Sequence, residues 1–472
     1  MPFISLSFEI FFIILVCLYH SAVYFEKYAL KLQRFLLLIA SFVFYAATNL
    51  RFLPFLLYAI IVSYISTQFL QKNKNKTILF IAIIADLLPL LFFKYAPIDW
   101  KGHILFPLGL SFFTFQSISY IVDVYKSKIE AQSLFDTALF ISFFPCVSSG
   151  PIQRAENLFP QLQKIHRFDY ESATDGLKLF AWGLFKKLCI ADKIAPYVNF
   201  VYADIADMSA FALLTAVFLY SFQIYADFSG YSDMAIGIAK YLGFDIGKNF
   251  DKPYFSTSIS EFWRKWHISL SSWLRDYVYF SLGGSRVALP RVYFNLMATF
   301  IVSGVWHGST GNFVLWGLLH GAFQCIEKTI KPVYSKVPAT AKMIITFIII
   351  SFAWIFFRAD TIADSFAVIK GILHIHSDAF SLLQMKNTLG VKEAIRTAFA
   401  LNNASFGGFS GMASTLFVLL ILVITEIAGK KGVSLTNSKH CVIRWFSYYS
   451  LALLIIFFFQ TSMTSNFIYN NF

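Results

Sequence analysis

"FIVSGVWHGSTGNFVLWGLLHGAF", residues 300–323, is apolar enough to lie in a bilayer, yet it holds two histidines, His307 and His320. An ionisable ring at membrane depth is costly unless it is hidden, paired or used. On one continuous helix, thirteen residues would set the two rings about 220° apart. The segment "GSTGN", 308–312, breaks that helix, because it has two glycines and no apolar residue. His307 therefore ends one span, bracketed by Gly304 and Gly308, which let a backbone or a ligand approach closely. Access and room of that kind suit a general base. His320 sits inside the next span, in "WGLLHG", where a hydrogen bond between packed helices is expected.

The same apolar character runs through all 472 residues. They are 57% hydrophobic and 14% charged, with a mean hydropathy of +0.63. A soluble domain of this size carries more charge. Runs long enough to cross a hydrocarbon core fall near 7–25, 35–50, 52–70, 77–93, 104–124, 177–200, 209–226, 291–307, 311–326, 341–357, 412–428 and 443–462. The chain is expected to be an all-α polytopic membrane protein of about a dozen spans, since a lone helix satisfies its own backbone in lipid. The first run lacks a basic region before it and a small-residue exit after it, so it reads as a retained span.

Lys27, Lys31 and Arg34 follow the first run, and Lys72, Lys74 and Lys76 follow the third. Only Arg51 lies between the second and third, and Lys94 and Lys101 are mixed with Asp99 in the next outer loop. Basic loops face the cytosol, which puts the N-terminus outside. The net charge of +13 is then a topology signal and a match to anionic lipid. No motif accompanies it that would read nucleic acid. The five cysteines form no CxxC pair, so neither a disulfide framework nor a metal site is suggested. Residues 1–472 read as one membrane domain, with the chemically richest region at about 145–327. A polar stretch at 370–410 is either an extramembrane loop or a pair of interfacial helices.

Two further clusters carry candidate chemistry. In "SISEFWRKWHISLSSWLRDYVYF", 258–280, Ser258 and Glu261 fit a capping box that starts a helix. At 100° per residue, Trp263, Trp266, Leu270, Trp273 and Tyr277 form one stripe, and Arg264, His267, Ser271 and Arg275 another. Such a helix anchors in the interface or roofs a polar cavity. In "YSFQIYADFSGYSDMAIG", 220–237, Gln223 and Asp227 are an i,i+4 pair, and Asp233 follows an expected break at Ser229-Gly230. Acidic groups at this depth face a wet cavity or a cation. Asp227 or Asp233 carries a proton or a metal, or pairs with Arg264 or Arg275. The pairing is preferred, because no second carboxylate lies nearby in sequence for a metal.

Together with "SGPIQR" (149–154), "GLFKKLCIAD" (183–192), "GVWHG" (304–308) and "FAWIFFRAD" (352–360), these stretches resemble the membrane-bound O-acyltransferase family, in its alginate O-acetyltransferase branch. The resemblance runs nearly the full length. It implies a ring of tilted helices with a central tunnel, faced by a catalytic histidine and by an upstream asparagine, aspartate or histidine on an FW-x-x-W-x segment. Here those positions are His307 and His267. Arg264, Trp266, Ser271, Arg275, Trp306 and Asp233 are candidates for substrate binding, and His320, Asp227 and Gln223 for the tunnel wall. The implied reaction moves an acetyl group from cytosolic acetyl-CoA, as substrate, with no permanently bound cofactor. The implied acceptor is an extracytoplasmic polysaccharide, alginate-like or peptidoglycan, reached through a separate extracytoplasmic partner protein across a bacterial inner membrane. Related branches load D-alanine onto teichoic acid. A transporter or flippase also needs polar residues inside the membrane, but no internal repeat is evident.

Overall fold

The computed structural model describes residues 1–95, 106–402, 406–432 and 438–461. Those residues form helices and connecting turns, with no strand among them. Residues 104–105 of the fifth expected span, residue 462 of the last, and the loop with Asp99 and Lys101 lie outside the described residues. The chain divides into two compact units. One comprises Met1–Phe180, Tyr231–Asn249 and His267–Tyr277, and the other Ala181–Gly230, Phe250–Trp266 and Val278–Phe472.

In the first unit the helix Leu110–Tyr125 is buried at every position from Leu110 to Val124. A helix buried all round is a core helix. Two of its polar positions tie it to neighbours: the Gln116 amide donates to the Phe140 carbonyl, and Asp123 takes Lys128 at 3.1 Å and the Tyr277 hydroxyl at 2.7 Å. Trp273 stacks on Phe115 at 3.9 Å and donates to the Phe115 carbonyl at 2.8 Å.

In the second unit, Leu289–His307 and Gly311–Tyr334 form an antiparallel helical pair. A methyl group on Gly304 would sit 2.2 Å from the Phe313 carbonyl oxygen, and one on Gly317 would sit 2.3 Å from that of Phe300. Glycine at both places lets the backbones touch, the close packing that membrane helices favour. The 370–410 stretch forms helices rather than a loop, Ile375–Leu389 and Val391–Ala398, and Asp378 accepts the Ala210 N–H at 2.7 Å.

Three expectations change. Among the described residues, seven helices are long and apolar enough to cross a membrane, or eight if the bent pair Ile362–Leu373 and Ile375–Leu389 is one span. The first two expected spans are both present as helices, Leu6–Ser21 and Ala29–Ala46. They make up one of the seven, a 41-residue segment kinked at Glu26, where φ is +35°, so that the second doubles back and sets Phe44 6.1 Å from Phe8. The expected spans at 177–200, 291–307 and 311–326 are helical, as is the 110–124 part of the one at 104–124, but all four fall outside that set. Leu110–Tyr125 is too short, the second of these four is interrupted by the wide turn Phe185–Ala191, and the last two carry Asn295, Ser303, His307, Asn312 and His320. Finally, Ser229-Gly230 is no break: the helix Ala210–Tyr241 runs straight through it. Gly230 serves proximity instead, since a Cβ there would lie 2.8 Å from the Gly183 carbonyl oxygen and 3.2 Å from the Lys186 Cβ.

The glycine crossing makes a direct prediction. Gly304→Ala should destabilise the detergent-solubilised protein by about 1–3 kcal/mol through overpacking. Val302→Ala, at an exposed position two residues away, should stay within about 0.5 kcal/mol. Thermal unfolding of the two variants checks the ranking, and equal midpoints would contradict the backbone contact.

Candidate active site

The stretch 258–280 starts as its sequence requires and then departs from it. The Ser258 hydroxyl accepts the Glu261 N–H at 3.0 Å, while Glu261 accepts the N–H and hydroxyl of Thr257, at 2.8 and 2.7 Å, and the Lys265 ammonium at 2.7 Å. Burial works to raise the Glu261 carboxyl, but Lys265 and Thr257 outweigh it and hold the group at about 2. This helix, Ile259–Lys265, ends at Trp266, and a second, Ile268–Leu274, begins after His267. His267 has φ +45° and ψ +56°, the left-handed region. The expected stripe from Arg264 to Arg275 therefore does not exist as one helical face. Arg264 is exposed, and Arg275 bonds its neighbour Asp276 at 2.8 Å.

A non-glycine residue in the left-handed region costs roughly 1–2 kcal/mol, and Asn249 offsets it. Its backbone carbonyl accepts the Ile268 N–H at 2.8 Å. Its side-chain oxygen accepts the Ser269 N–H at 3.2 Å and hydroxyl at 2.9 Å, and faces the His267 Nδ1 at 3.2 Å. Its amide donates in turn to Ser232 at 3.0 Å. With an acceptor opposite Nδ1, the proton of His267 sits on Nδ1 and Nε2 keeps its lone pair. Burial lowers the pKa of this fully buried ring to about 3, so it is neutral.

His320 has the opposite tautomer. The Trp263 indole donates to the His320 Nδ1 at 3.2 Å, so Nε2 carries the proton. The Trp316 ring lies between the two histidines of the opening stretch, 4.8 Å from His320 and 5.1 Å from His307. Trp306 and Phe357 also stand edge-on to His307, at 4.8 and 5.2 Å. His307, 3% exposed, thus ends its helix among aromatic rings, with no residue of the 308–310 turn continuing it.

The polar cluster on Ala210–Tyr241 finds a partner the sequence reading did not name. Lys187 bonds Asp227 and Asp192, each at 2.8 Å, and all three side chains are buried. The wide turn Phe185–Ala191 brings two consecutive lysines inward: the Lys186 ammonium donates to Ser229 at 3.0 Å and lies 5.8 Å over the Tyr225 ring, whose hydroxyl donates to Glu426. Wide turns of this kind accumulate at functional sites. Gln223 is also buried.

The second unit therefore holds His307, Trp306, His320, Arg264, Trp266, Gln223 and Asp227, and the first holds His267, Ser271, Arg275 and the half-buried Asp233. Asn249, Trp316, Lys187 and Asp192 were not singled out from sequence. Two lysines within an apolar run, in "GLFKKLCIAD", were a usable signal. Nothing in "GKNFDKP" marks Asn249.

Residues 6–359 match the model of the membrane-bound O-acyltransferase family. A peptidoglycan O-acetyltransferase of Helicobacter pylori is 33% identical, over 92% of this chain and 91% of that protein. A probable alginate O-acetylase of Pseudomonas aeruginosa is 35% identical, over 80% of this chain and 76% of its own. A teichoic acid D-alanyltransferase of Bacillus subtilis is 30% identical, over 61% of this chain and 78% of its own.

Lys187 is the keystone of its cluster. Lys187→Met leaves two buried carboxylates facing each other and should destabilise by about 3–5 kcal/mol. Adding Asp227→Asn should recover part of that loss. Unfolding midpoints of the single and double variants decide the matter, and a wild-type midpoint for Lys187→Met would refute the assignment.

Proposed function

The chain belongs to the membrane-bound O-acyltransferase family, and on that premise we propose that it carries an acetyl group from cytosolic acetyl-CoA across a bacterial inner membrane, for O-acetylation of an extracytoplasmic polysaccharide. The chain is an O-acyltransferase and a multi-pass membrane protein. The proposal adds the donor, the direction, an outward N-terminus and the acceptor. Peptidoglycan and an alginate-like exopolymer are the two acceptors we favour, because relatives named for those polymers align over most of this chain.

The observation that carries the chemistry is the placement of His307 at a glycine-bracketed helix end, surrounded by the edges of Trp306, Trp316 and Phe357. In the proposed step a hydroxyl of the acceptor, or of a partner protein entering from outside, attacks the thioester carbonyl. The C–O bond forms as the C–S bond breaks. Neutral imidazole takes the hydroxyl proton and returns it to the departing thiolate, so the reaction closes without a net proton. Aromatic walls exclude the water that would hydrolyse the thioester. Arg264, exposed at the end of the Ile259–Lys265 helix, offers a fork-shaped donor for the phosphates of coenzyme A. His267, the second polar residue that the family resemblance singles out, presents an acceptor nitrogen at Nε2.

Purified protein in sealed vesicles, given radiolabelled acetyl-CoA on one side, tests this. Label should reach polymer only when the extracytoplasmic partner is present on the other side. Labelling of polymer by this chain alone would refute the relay, and transfer of D-alanine in place of acetyl would move the chain to the teichoic acid reading. His307→Ala should lower transfer by at least about 100-fold while leaving the fold intact. His320→Ala should cost less activity and more stability, because it strips the Trp263 indole of its acceptor. The reverse ranking would exchange the two roles.

A further inference from the structure

A groove of about 270 Å³ opens in the first unit between the helix Leu6–Ser21, the helix Tyr170–Leu184 and the end of Ala210–Tyr241. Its floor is a backbone crossing. A methyl group on either Gly176 or Gly237 would fall 2.5 Å from the other's carbonyl oxygen, so these helices touch there and leave the space above them unfilled. The walls are apolar and largely aromatic, with Phe12 edge-on to Tyr241 at 5.5 Å. Ile13 and Leu177 flank the mouth and are 64% and 51% exposed. An apolar cavity of roughly 150 Å³ takes benzene, so this one has room for several methylenes of an alkyl chain.

One lining residue is charged. Glu9, exposed in the first turn of its helix, is the carboxylate at the rim. Ile13 lies four residues on, on the same face and about 6 Å further along the axis. Leu6–Ala46 is a candidate span, so a residue in its first turn stands at headgroup depth while Ile13 stands among acyl chains. The groove thus presents a negative group where a headgroup lies and an apolar trough where a chain lies. An anionic lipid would meet repulsion at Glu9, and a cationic group would be attracted.

We propose that this groove binds one zwitterionic aminophospholipid, its acyl chain over Gly176 and Gly237 and its ammonium on Glu9. The site is independent of the acyl-transfer reading, because it uses none of the residues assigned to that chemistry.

Native mass spectrometry of the full-length protein in detergent, titrated with dioleoyl-phosphatidylethanolamine or dioleoyl-phosphatidylglycerol, tests it. Wild type should retain one phosphatidylethanolamine, with a preference of roughly fivefold over phosphatidylglycerol, the upper end for an exposed ion pair. Glu9→Gln, at an exposed position with no effect expected on folding, should keep the lipid and abolish the preference. Ile13→Trp and Leu177→Trp, each closing the mouth from a different helix, should abolish retention of both lipids. An unchanged preference in Glu9→Gln, or retention in both tryptophan variants with wild-type unfolding midpoints, would overturn the proposal. So would equal retention of the two lipids by wild type.

Discussion

The contact of two helix backbones at Gly304 and Gly317 governs the second unit. Carbonyl oxygens of Phe313 and Phe300 occupy the places where side chains would begin, so neither helix can rotate or slide without a clash. That fixed register decides which side chains meet. It sets the Trp316 ring between His307 and His320, and it aims His320 at Trp263. The hinge between the helices is equally constrained, because a Cβ on Gly308 would lie 2.1 Å from the Phe313 ring. The aromatic rings of Trp306, Trp316 and Phe357 stand against the histidine that ends the helix.

A bilayer protein has little water with which to satisfy stray polar groups. Both units answer that constraint with small, closed polar clusters. Lys187 serves two aspartates at once, and Asn249 serves His267, Ser269 and the backbone of Ile268. Two of the buried histidines, His267 and His320, have their tautomers dictated by a neighbour. His267 faces an acceptor and keeps a lone pair on Nε2, whereas His320 faces a donor and keeps a proton there. Two rings of one residue type thus present opposite hydrogen-bonding faces without any change of charge.

Much of the fold was legible because a bilayer makes composition informative. The helical class, the break at 308–312 and the cap at Ser258 all follow from local chemistry. What failed did so for one reason: periodicity assumes that a helix continues until a breaker stops it. Gly230 looks like a breaker and is a contact point, since the residue that needs its smallness is Gly183, 47 positions away. His267 looks like an ordinary helical position and is a sharp turn, because Asn249 supplies the bonds from outside the segment. Lys187 came inward through a wide turn that shifts the 100° count. The family resemblance reached the residues His307 and His267, but the clusters around them depend on side chains far apart in sequence.

The turn at His267 bears on how variation at that position is interpreted. Among residues other than glycine, asparagine, aspartate and histidine are the ones that enter the left-handed region most readily. They are also the three types that the family resemblance allows there. Backbone geometry alone would thus filter the position to that short alphabet, before any demand from the reaction. A tolerated exchange among the three is evidence of a shared dihedral angle, and the residue's chemical part has to be sought in the reactivity of Nε2.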